Sequence, residues 1–282
     1  MPELPEVETV CRGLNRVTLN RSIQGGELLL PRSLATPDSA VDFWQGMRGA
    51  AFAAWQRRGK YLLAELVRQD GAAAGYLGVH LRMTGQLLWL DPATPLHAHC
   101  RARLFLQGDR ELRFLDQRTF GRLWWVPPGQ PPQALITGLQ GLGPEPFASE
   151  FSPAYLGKRL RGSQRPIKNA LLDQRLVAGL GNIYADEALF LSGIRPTTAS
   201  QRLGLRRLTR LHGAIQQVLT TSIESGGTSF SDYRDIYGIN GIYGGVAWVY
   251  HRETLPCRVC QTPIQRLKLA GRSAHYCPHC QR

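Results

Sequence analysis

The chain has 282 residues, 43% of them hydrophobic, and a formal net charge of +13. No apolar run approaches the ~18–20 residues that cross a bilayer, and the acidic N-terminus is unlike a signal peptide, so we expect a soluble cytoplasmic protein rather than a membrane-embedded or secreted one. The basic excess is largest in residues 150–282, where 18 Lys and Arg stand against 8 Asp and Glu. This excess favours a polyanionic partner, nucleic acid before membrane.

The first predicted element is an amphipathic helix in the opening stretch, MPELPEVETV. Its apolar positions follow helical spacing and are Leu4, Val7, Val10, Cys11, Leu14 and Val17. Proline and glutamate suit a first helical turn, where amide protons lack partners and the helix dipole favours negative charge. On this interpretation the early glutamates only start a helix. Three glutamates at the N-terminus of so basic a chain are also compatible with a functional role.

Short strands follow this helix. The strand-like runs are GELLLP, YLLAELV, GYLGVHLRMTGQLLWL, RARLFLQGDRELRFLD and RLWWVP. In the fourth run two alternating arms flank Gly108-Asp109, which predicts a β-hairpin with a two-residue turn. Repeated short strands with few long helices predict an antiparallel β-sandwich or barrel over residues 1–128. The prolines between Pro127 and Pro132 then open an interdomain linker over residues 129–149.

Beyond residue 149 the pattern becomes helical and predicts a second domain over residues 150–250. Two short helices are separated by the sequence Gly-Leu-Gly at 179–181, and a longer helix has its apolar positions at Leu208, Leu211, Ile215, Val218, Leu219 and Ile223. The stretch of about residues 225–245 mixes glycine with aromatic residues and fits neither a helical nor a strand period. Long irregular stretches of this kind are usually functional or mobile.

Four of the six cysteines lie in the last segment, residues 251–282. Two Cys-x2-Cys pairs form the spacing of a four-cysteine zinc site, with ligands Cys257, Cys260, Cys277 and Cys280. Four protein ligands saturate tetrahedral zinc, so the expected ion is structural, and neither His275 nor His279 is needed as a ligand. The basic hairpin between the pairs, which includes Arg272, is suited to the DNA backbone. The remaining Cys11 and Cys100 are expected to be buried thiols.

Three of these motifs coincide in one known family. The N-terminal PELPEVE, the internal GLGNIYADE and the four-cysteine finger, in this order, resemble the bacterial formamidopyrimidine-DNA glycosylases. The resemblance implies an α+β protein with an N-terminal helix-flanked antiparallel β-sandwich, a helix-two-turns-helix domain and a C-terminal zinc finger. It also implies a monomer with one structural Zn²⁺ that acts on double-stranded DNA containing oxidised bases.

The implied activity is that of a bifunctional DNA glycosylase and AP lyase of base excision repair. Such an enzyme excises 8-oxoguanine and formamidopyrimidines through a Schiff base and then cleaves the strand by β,δ-elimination. In the family the residue that matches Pro2 is the nucleophile, the one that matches Glu3 the proton donor and the one that matches Glu6 the supporting carboxylate. We assign Glu8 to the solvated face of the helix. The chemistry agrees, because an α-amine with a pKa of about 8 is partly unprotonated at neutral pH.

The resemblance also assigns DNA contacts. Lys60 and Arg272 match proton donors that contact phosphate. The residues that fill the gap left by an extruded base match Met83, Arg118 and Phe120. Without the resemblance, Met83 and Phe120 would be interpreted as core residues. Further matched DNA contacts are His99, Lys168 and Asn182. The glycine-rich stretch of about residues 225–245 matches the family loop that closes over the extruded base, and weaker candidates for contacts with that base are Thr228 and Tyr233.

Two details depart from the family pattern, and two other functions compete. In the family a second basic residue often neighbours the arginine of DQRTFG, and this chain has none there. The segment GINGIYGGVAWVY is rich in tyrosine and glycine and does not determine which residues line the base pocket. The enzymatic alternative is the endonuclease VIII type, which prefers oxidised pyrimidines and usually begins Pro-Glu-Gly-Pro-Glu. PELPE and Phe120 favour the purine enzyme. The other alternative, a catalytically silent DNA-binding module, conflicts with the presence of Pro2, Glu3 and Lys60.

Overall fold

The computed structural model describes residues 1–228, 230 and 233–282, which form two compact units. The first unit comprises residues 1–140 and 226–241, and the second comprises residues 141–225 and 242–282. The boundary at residue 140 lies inside the predicted linker, 129–149. Segment 226–241 packs within the first unit, although its position in the chain predicted the second domain.

The first unit contains two β-sheets. Its helices are α1 (Leu4–Val17), α2 (Ala40–Met47) and α3 (Pro132–Leu135), and its strands are β1 (Ile23–Leu28), β2 (Leu34–Thr36), β3 (Ala51–Arg58), β4 (Tyr61–Val67), β5 (Ala73–His80), β6 (Gly85–Leu90), β7 (Cys100–Leu106), β8 (Arg110–Asp116) and β9 (Arg122–Val126). One sheet has the order β2-β9-β5-β4-β3 and the other β1-β7-β8-β6. All pairs are antiparallel except the parallel pair of β2 and β9.

One hydrophobic cluster joins α1 to both sheets. The apolar face of α1 is buried as its spacing predicts, and Phe52 and Leu62 of one sheet meet Leu104 and Phe114 of the other in the same cluster. Ile236 of segment 226–241 belongs to it as well. The helix-flanked sandwich is therefore confirmed. Cys11 is a buried thiol, as predicted, and burial raises its pKa to about 11.

The predicted hairpin joins β7 to β8, but its turn is longer than expected. Leu106 pairs with Arg110, so three residues form the loop rather than two. Gly108 (φ +88°) and Asp109 (φ +50°) both adopt the left-handed conformation. Glycine tolerates this conformation without strain, and aspartate is among the few other residues that often adopt it.

The second unit is built on helices α4 (Pro153–Leu160), α5 (Ile167–Leu171), α6 (Asn182–Leu191) and α7 (Leu205–Glu224), followed by a hairpin of β10 (Gln265–Leu269) and β11 (Arg272–Tyr276). Helix α6 is central, since it packs against α7 and β11. The Gly-Leu-Gly break at 179–181 lies between α5 and α6, as predicted. None of the described helices is long and apolar enough to cross a bilayer.

Candidate active site and metal centre

The N-terminus places two carboxylates at the start of α1. Pro2 and Glu3 directly precede the helix, and both are buried. The backbone N–H of Glu3 donates a hydrogen bond of 2.8 Å to Oε2 of Glu6, an arrangement typical of a capping box. Because Glu6 is fully buried, this bond satisfies an oxygen that solvent does not reach. The helix start therefore holds Pro2, Glu3 and Glu6 together.

The second oxygen of Glu6 is bound by segment 226–241. Glu6 Oε1 accepts a hydrogen bond of 2.9 Å from the backbone N–H of Thr228. Gly227 has φ +87°, and a Cβ there would lie 3.2 Å from this oxygen, so glycine permits the approach. Tyr233 is buried in the same unit, and burial together with the Glu6 carboxylate raises its pKa. The base contacts of Thr228 and Tyr233 stay predictions, and positions 229, 231 and 232 of the predicted loop lie outside the described residues.

Lys60 lies in the tight turn between β3 and β4, beside a histidine that sequence reasoning missed. Gly59 takes φ +58° in this turn, and Lys60 is only 7% exposed. His80 pairs with Tyr61 across the sheet, and its Nδ1 accepts a hydrogen bond of 3.0 Å from the backbone N–H of Arg82. Burial, and then the cations of Arg82 and Lys60, lower the pKa of His80 to about 3. Its signal in the sequence was a lone histidine closing the apolar run YLGVH.

Met83, Arg118 and Phe120 lie on two turns at one end of the four-stranded sheet. Met83 precedes β6, and the other two follow β8, the neighbour of β6. The guanidinium carbon of Arg118 lies 5.1 Å from the centre of the Phe120 ring, in a cation–π arrangement. Met83 is 37% and Phe120 50% exposed, so their interpretation as core residues is wrong. Exposed apolar side chains beside a guanidinium are suited to insertion between bases.

His99 precedes β7 and is half-buried. Its Nδ1 lies 3.2 Å from Nη2 of Arg101, and its ring centre is 5.2 Å from that of His97. It faces a cavity of about 500 Å³, lined by Thr84, Gln86, Leu88, His97, His99, Leu115, Gln117, Arg234 and Gly238. The polar groups of this lining are amides, imidazoles, a hydroxyl and a guanidinium, which suit an anionic ligand better than a cationic one.

In the second unit Asn182 lies beside Ser273, the residue that follows Arg272. Asn182 is the first residue of α6, where the amide protons of the first turn have no partners within the helix. Its Nδ2 lies 3.5 Å from Oγ of Ser273, and its Oδ1 is buried without a hydrogen-bond partner among the described residues. Arg272 is exposed next to Ser273, beside a groove of about 320 Å³. A phosphate group suits such a helix N-terminus.

Lys168 is buried, which differs from the phosphate contact predicted for it. Its ammonium forms an ion pair of 2.6 Å with Asp186, and both side chains are fully buried. The ammonium also donates a hydrogen bond to the backbone carbonyl of Ser273, and Asp186 accepts one of 2.9 Å from the backbone N–H of His275. Lys168 and Asp186 therefore hold β11, which begins with Arg272, against α6.

The four predicted cysteine ligands converge on a metal centre. Their Sγ atoms all lie within 4.8 Å of one another, with 3.9 Å between Cys257 and Cys280 and 3.4 Å between Cys260 and Cys277. Tetrahedral zinc–thiolate bonds of about 2.3 Å need sulfurs about 3.8 Å apart. The donor set and its geometry therefore fit a structural metal ion. His275 instead binds Asp186 through Nδ1, at 3.2 Å.

Three family models match the chain in the order of these elements. They describe the formamidopyrimidine-DNA glycosylase N-terminal domain (residues 1–123), the formamidopyrimidine-DNA glycosylase H2TH domain (residues 142–234) and a zinc finger found in FPG and IleRS (residues 255–282). Together the two glycosylase models cover most of both structural units.

Individual relatives agree with these models over their whole length. The formamidopyrimidine-DNA glycosylase of Rippkaea orientalis is 60% identical over 281 residues, which is 100% of both chains. The Fpg of Lactococcus lactis, solved with DNA containing an abasic site, is 34% identical with a TM-score of 0.89 over 99% of both chains. A complex of the same protein with Fapy-dG DNA has a TM-score of 0.88 at 34% identity, over 99% of this chain and 100% of that chain. The chain belongs to the formamidopyrimidine-DNA glycosylase family.

Proposed function

We propose that this protein is a bifunctional DNA glycosylase and AP lyase that removes oxidised purines from double-stranded DNA and then cleaves the strand. The observation that carries the proposal is the arrangement at Pro2, where Glu3 and Glu6 are buried and Glu6 is bound by the N–H groups of Glu3 and Thr228. Such an arrangement can hold an N-terminal amine and a proton donor in fixed relation. The two complexes of the Lactococcus lactis relative with damaged DNA support this substrate class.

The proposed chemistry begins when removal of Met1 exposes the secondary amine of Pro2. The amine nitrogen attacks C1′ of the damaged nucleotide, and the bond from C1′ to the base breaks as the base departs and takes up a proton. Glu3 donates a proton to the sugar ring oxygen, which opens the ring and leaves an iminium. Loss of a proton from C2′ then expels the 3′ phosphate, and a second elimination expels the 5′ phosphate.

The remaining predicted residues bind DNA in this proposal. Lys60 and Arg272 contact phosphates at the lesion and serve as proton donors in elimination, and Asn182 and His99 add backbone contacts. The gap left by the extruded base is filled by Met83, Arg118 and Phe120. Lys168 acts indirectly, because its buried ammonium holds the β11 hairpin.

The metal of the four-cysteine site is Zn²⁺ in this proposal, and the protein acts as a cytoplasmic monomer. Four thiolates leave no ligand position for substrate or water, so the ion supports the hairpin and takes no part in bond breaking. Metal analysis of the purified protein should give one zinc per chain, and size-exclusion chromatography with light scattering should give the monomer mass.

Borohydride trapping tests the reaction. The mature protein, with loss of Met1 verified by mass spectrometry, is incubated with an 8-oxoguanine·cytosine duplex and borohydride, beside matched duplexes with an oxidised pyrimidine or no lesion. Because borohydride reduces an iminium to a stable amine, we expect a covalent adduct, and most of it with the oxidised purine. Acetylation of the N-terminal amine is the control and should abolish the adduct.

Each part of the proposal has a result that would overturn it. An adduct that persists after acetylation would exclude Pro2 as the nucleophile. A preference for the oxidised pyrimidine would move the protein to the endonuclease VIII type of specificity. Absence of any adduct, with duplex binding intact, would leave a DNA-binding protein without the proposed chemistry.

A further inference from the structure

Asp116 joins the two turns that carry Met83, Arg118 and Phe120. It is the last residue of β8 and is 1% exposed. Its Oδ1 accepts a hydrogen bond of 2.5 Å from the hydroxyl of Thr84, and its Oδ2 accepts one of 2.6 Å from the backbone N–H of Gly121. Hydrogen bonds to a buried carboxylate are stronger than those between neutral groups. One buried acid thus binds the residue after Met83 and the residue after Phe120.

Thr84 extends this connection to the arginine. Its Oγ1, which donates to Asp116, also accepts a hydrogen bond of 3.0 Å from the backbone N–H of Arg118. The main chain of Asp116 reaches a fourth predicted DNA contact, since its N–H donates to the carbonyl of His99 at 2.9 Å. The backbone at or next to four predicted DNA contacts is therefore bound by two polar residues that are themselves absent from the predicted contacts.

The two turns are not relaxed loops that would keep this geometry by themselves. Arg82 has φ +54° and Thr119 has φ +58°, a conformation that a β-branched residue such as threonine rarely adopts. Gly121 approaches so closely that a Cβ there would lie 2.4 Å from the Phe114 ring and 3.0 Å from Oδ2 of Asp116. Sparsely populated backbone conformations persist only where surrounding contacts determine them. Asp116 and Thr84 supply such contacts.

We propose that Asp116 and Thr84 are positioning residues for base extrusion: they fix the spacing between the Met83 turn and the Arg118–Phe120 turn so that the three side chains enter the duplex together. This inference rests on the proposed function. Neither residue needs to touch the reacting sugar, so the effect belongs to extrusion of the base and not to bond breaking. A misplacement of about 1 Å at such a site can lower a rate by about 100-fold.

The test uses four variants, three of them at threonines and the fourth Asp116→Asn. Thr84→Val removes the hydroxyl but keeps the shape of the side chain, and Thr84→Ser keeps the hydroxyl but removes the methyl group. The matched control is Thr209→Val, because the Thr209 hydroxyl donates to a backbone carbonyl on α7 in the other unit. Extrusion is followed by the fluorescence of 2-aminopurine placed beside 8-oxoguanine. Single-turnover excision is compared with cleavage of a preformed abasic site, which needs no base extrusion, and thermal unfolding is recorded for every variant.

For Thr84→Val we expect extrusion and excision to slow by about tenfold or more, the equivalent of one hydrogen bond to a charged group. Cleavage at the abasic site should stay close to that of the unmodified protein, and the midpoint of thermal unfolding should fall by no more than the loss of one buried hydrogen bond produces. Thr84→Ser should recover most of the extrusion rate, and Thr209→Val should match the unmodified protein. Asp116→Asn keeps an acceptor for the Gly121 N–H and should slow extrusion, as Thr84→Val does.

Several results would overturn the inference. If Thr84→Val extrudes the base at the unmodified rate, the hydroxyl does not position the turns. If excision and abasic cleavage fall by the same factor together with thermal stability, the role is structural only. If the unmodified protein extrudes and excises while the variants match it, only the positioning role fails, whereas an unmodified protein that neither extrudes nor excises refutes the proposed function itself.

Discussion

At the scale of single residues, the glutamates of α1 differ in their surroundings. Glu3 and Glu6 are buried, whereas Glu8 is partly exposed and forms ion pairs of 2.8 Å with Arg12 and Arg57. Burial acts to raise the pKa of Glu8, but hydrogen bonds from the two arginines outweigh it and the pKa is lowered. Glu8 is therefore a structural anion on the solvated side of the helix, as predicted, and it serves as a control for its neighbours.

Glu3→Gln should bind a lesion duplex normally but excise the base about 100 to 10,000 times more slowly, because an amide cannot act as a general acid. Binding is measured by fluorescence anisotropy and excision under single-turnover conditions. Glu8→Gln is the matched control on the same helix and should excise normally. Unchanged excision by Glu3→Gln would remove Glu3 from the proton-donor role.

His80 gives the protein a predictable dependence on pH. In the folded state its pKa is lowered from the ordinary 6.5 to about 3, so the unfolded chain takes up a proton first as the pH falls. The stability supplied by this group is complete above pH 6.5 and decreases toward pH 3, by up to about 1.4 kcal/mol per pH unit. His80→Gln should therefore flatten the fall in unfolding free energy below pH 6.5, measured by urea denaturation. Parallel curves for the two proteins would contradict this assignment.

At the scale of elements, the junction of α6 with the β10–β11 hairpin depends on a buried ion pair. Lys168→Met leaves the fully buried carboxylate of Asp186 without its cation and should lower the unfolding free energy by about 3–5 kcal/mol. The control is Arg12→Ala, which breaks a pair whose arginine is 58% exposed and should change it by at most about 1 kcal/mol. Equal effects in urea denaturation would show that burial does not set the strength of the pair.

The sequence predicts the elements that depend on neighbouring residues, but not the features that depend on contacts between residues far apart in the chain. Neighbouring residues predict the apolar face of α1, the β7–β8 hairpin and the break before α6. The three-residue turn at Gly108 depends on the register of the whole β7–β8 pair, and the parallel pairing of β2 with β9 joins distant strands. Segment 226–241 reads as an irregular stretch of the helical domain, yet Ile236 is buried in the sandwich core.

The candidate site shows the same division. The cysteine ligands follow from spacing alone, since two close pairs determine a tetrahedral site. The burial of Lys168 was not predictable, because its partners, Asp186 and Ser273, are separated from it in sequence and only the fold brings them to its ammonium. His80 was missed because its lowered pKa comes from burial and from Arg82 and Lys60, which only the fold brings around it.

At the scale of the whole molecule, a net charge of +13 predicts DNA binding that weakens as salt increases. Arg272→Ala removes one proposed phosphate contact, so the slope of log K against log salt should become shallower by about 0.9. The control is Arg16→Ala, which removes an exposed arginine from the last turn of α1 and should leave the slope unchanged. The slope is measured by fluorescence anisotropy over a salt series. An unaltered slope in Arg272→Ala would exclude a contact between Arg272 and the DNA backbone.

The metal centre also gives the molecule a chemical weakness. Two of its four cysteines, Cys260 and Cys280, are partly exposed, and thiolates are the protein groups that peroxide oxidises most readily. Loss of a thiolate frees the hairpin that carries Arg272, so peroxide should release metal and weaken duplex binding in parallel, measured with a chromogenic chelator and by anisotropy. Metal release with full binding would contradict this. The oxidative stress that creates oxidised bases would then also lower the affinity for DNA of the protein proposed to remove them.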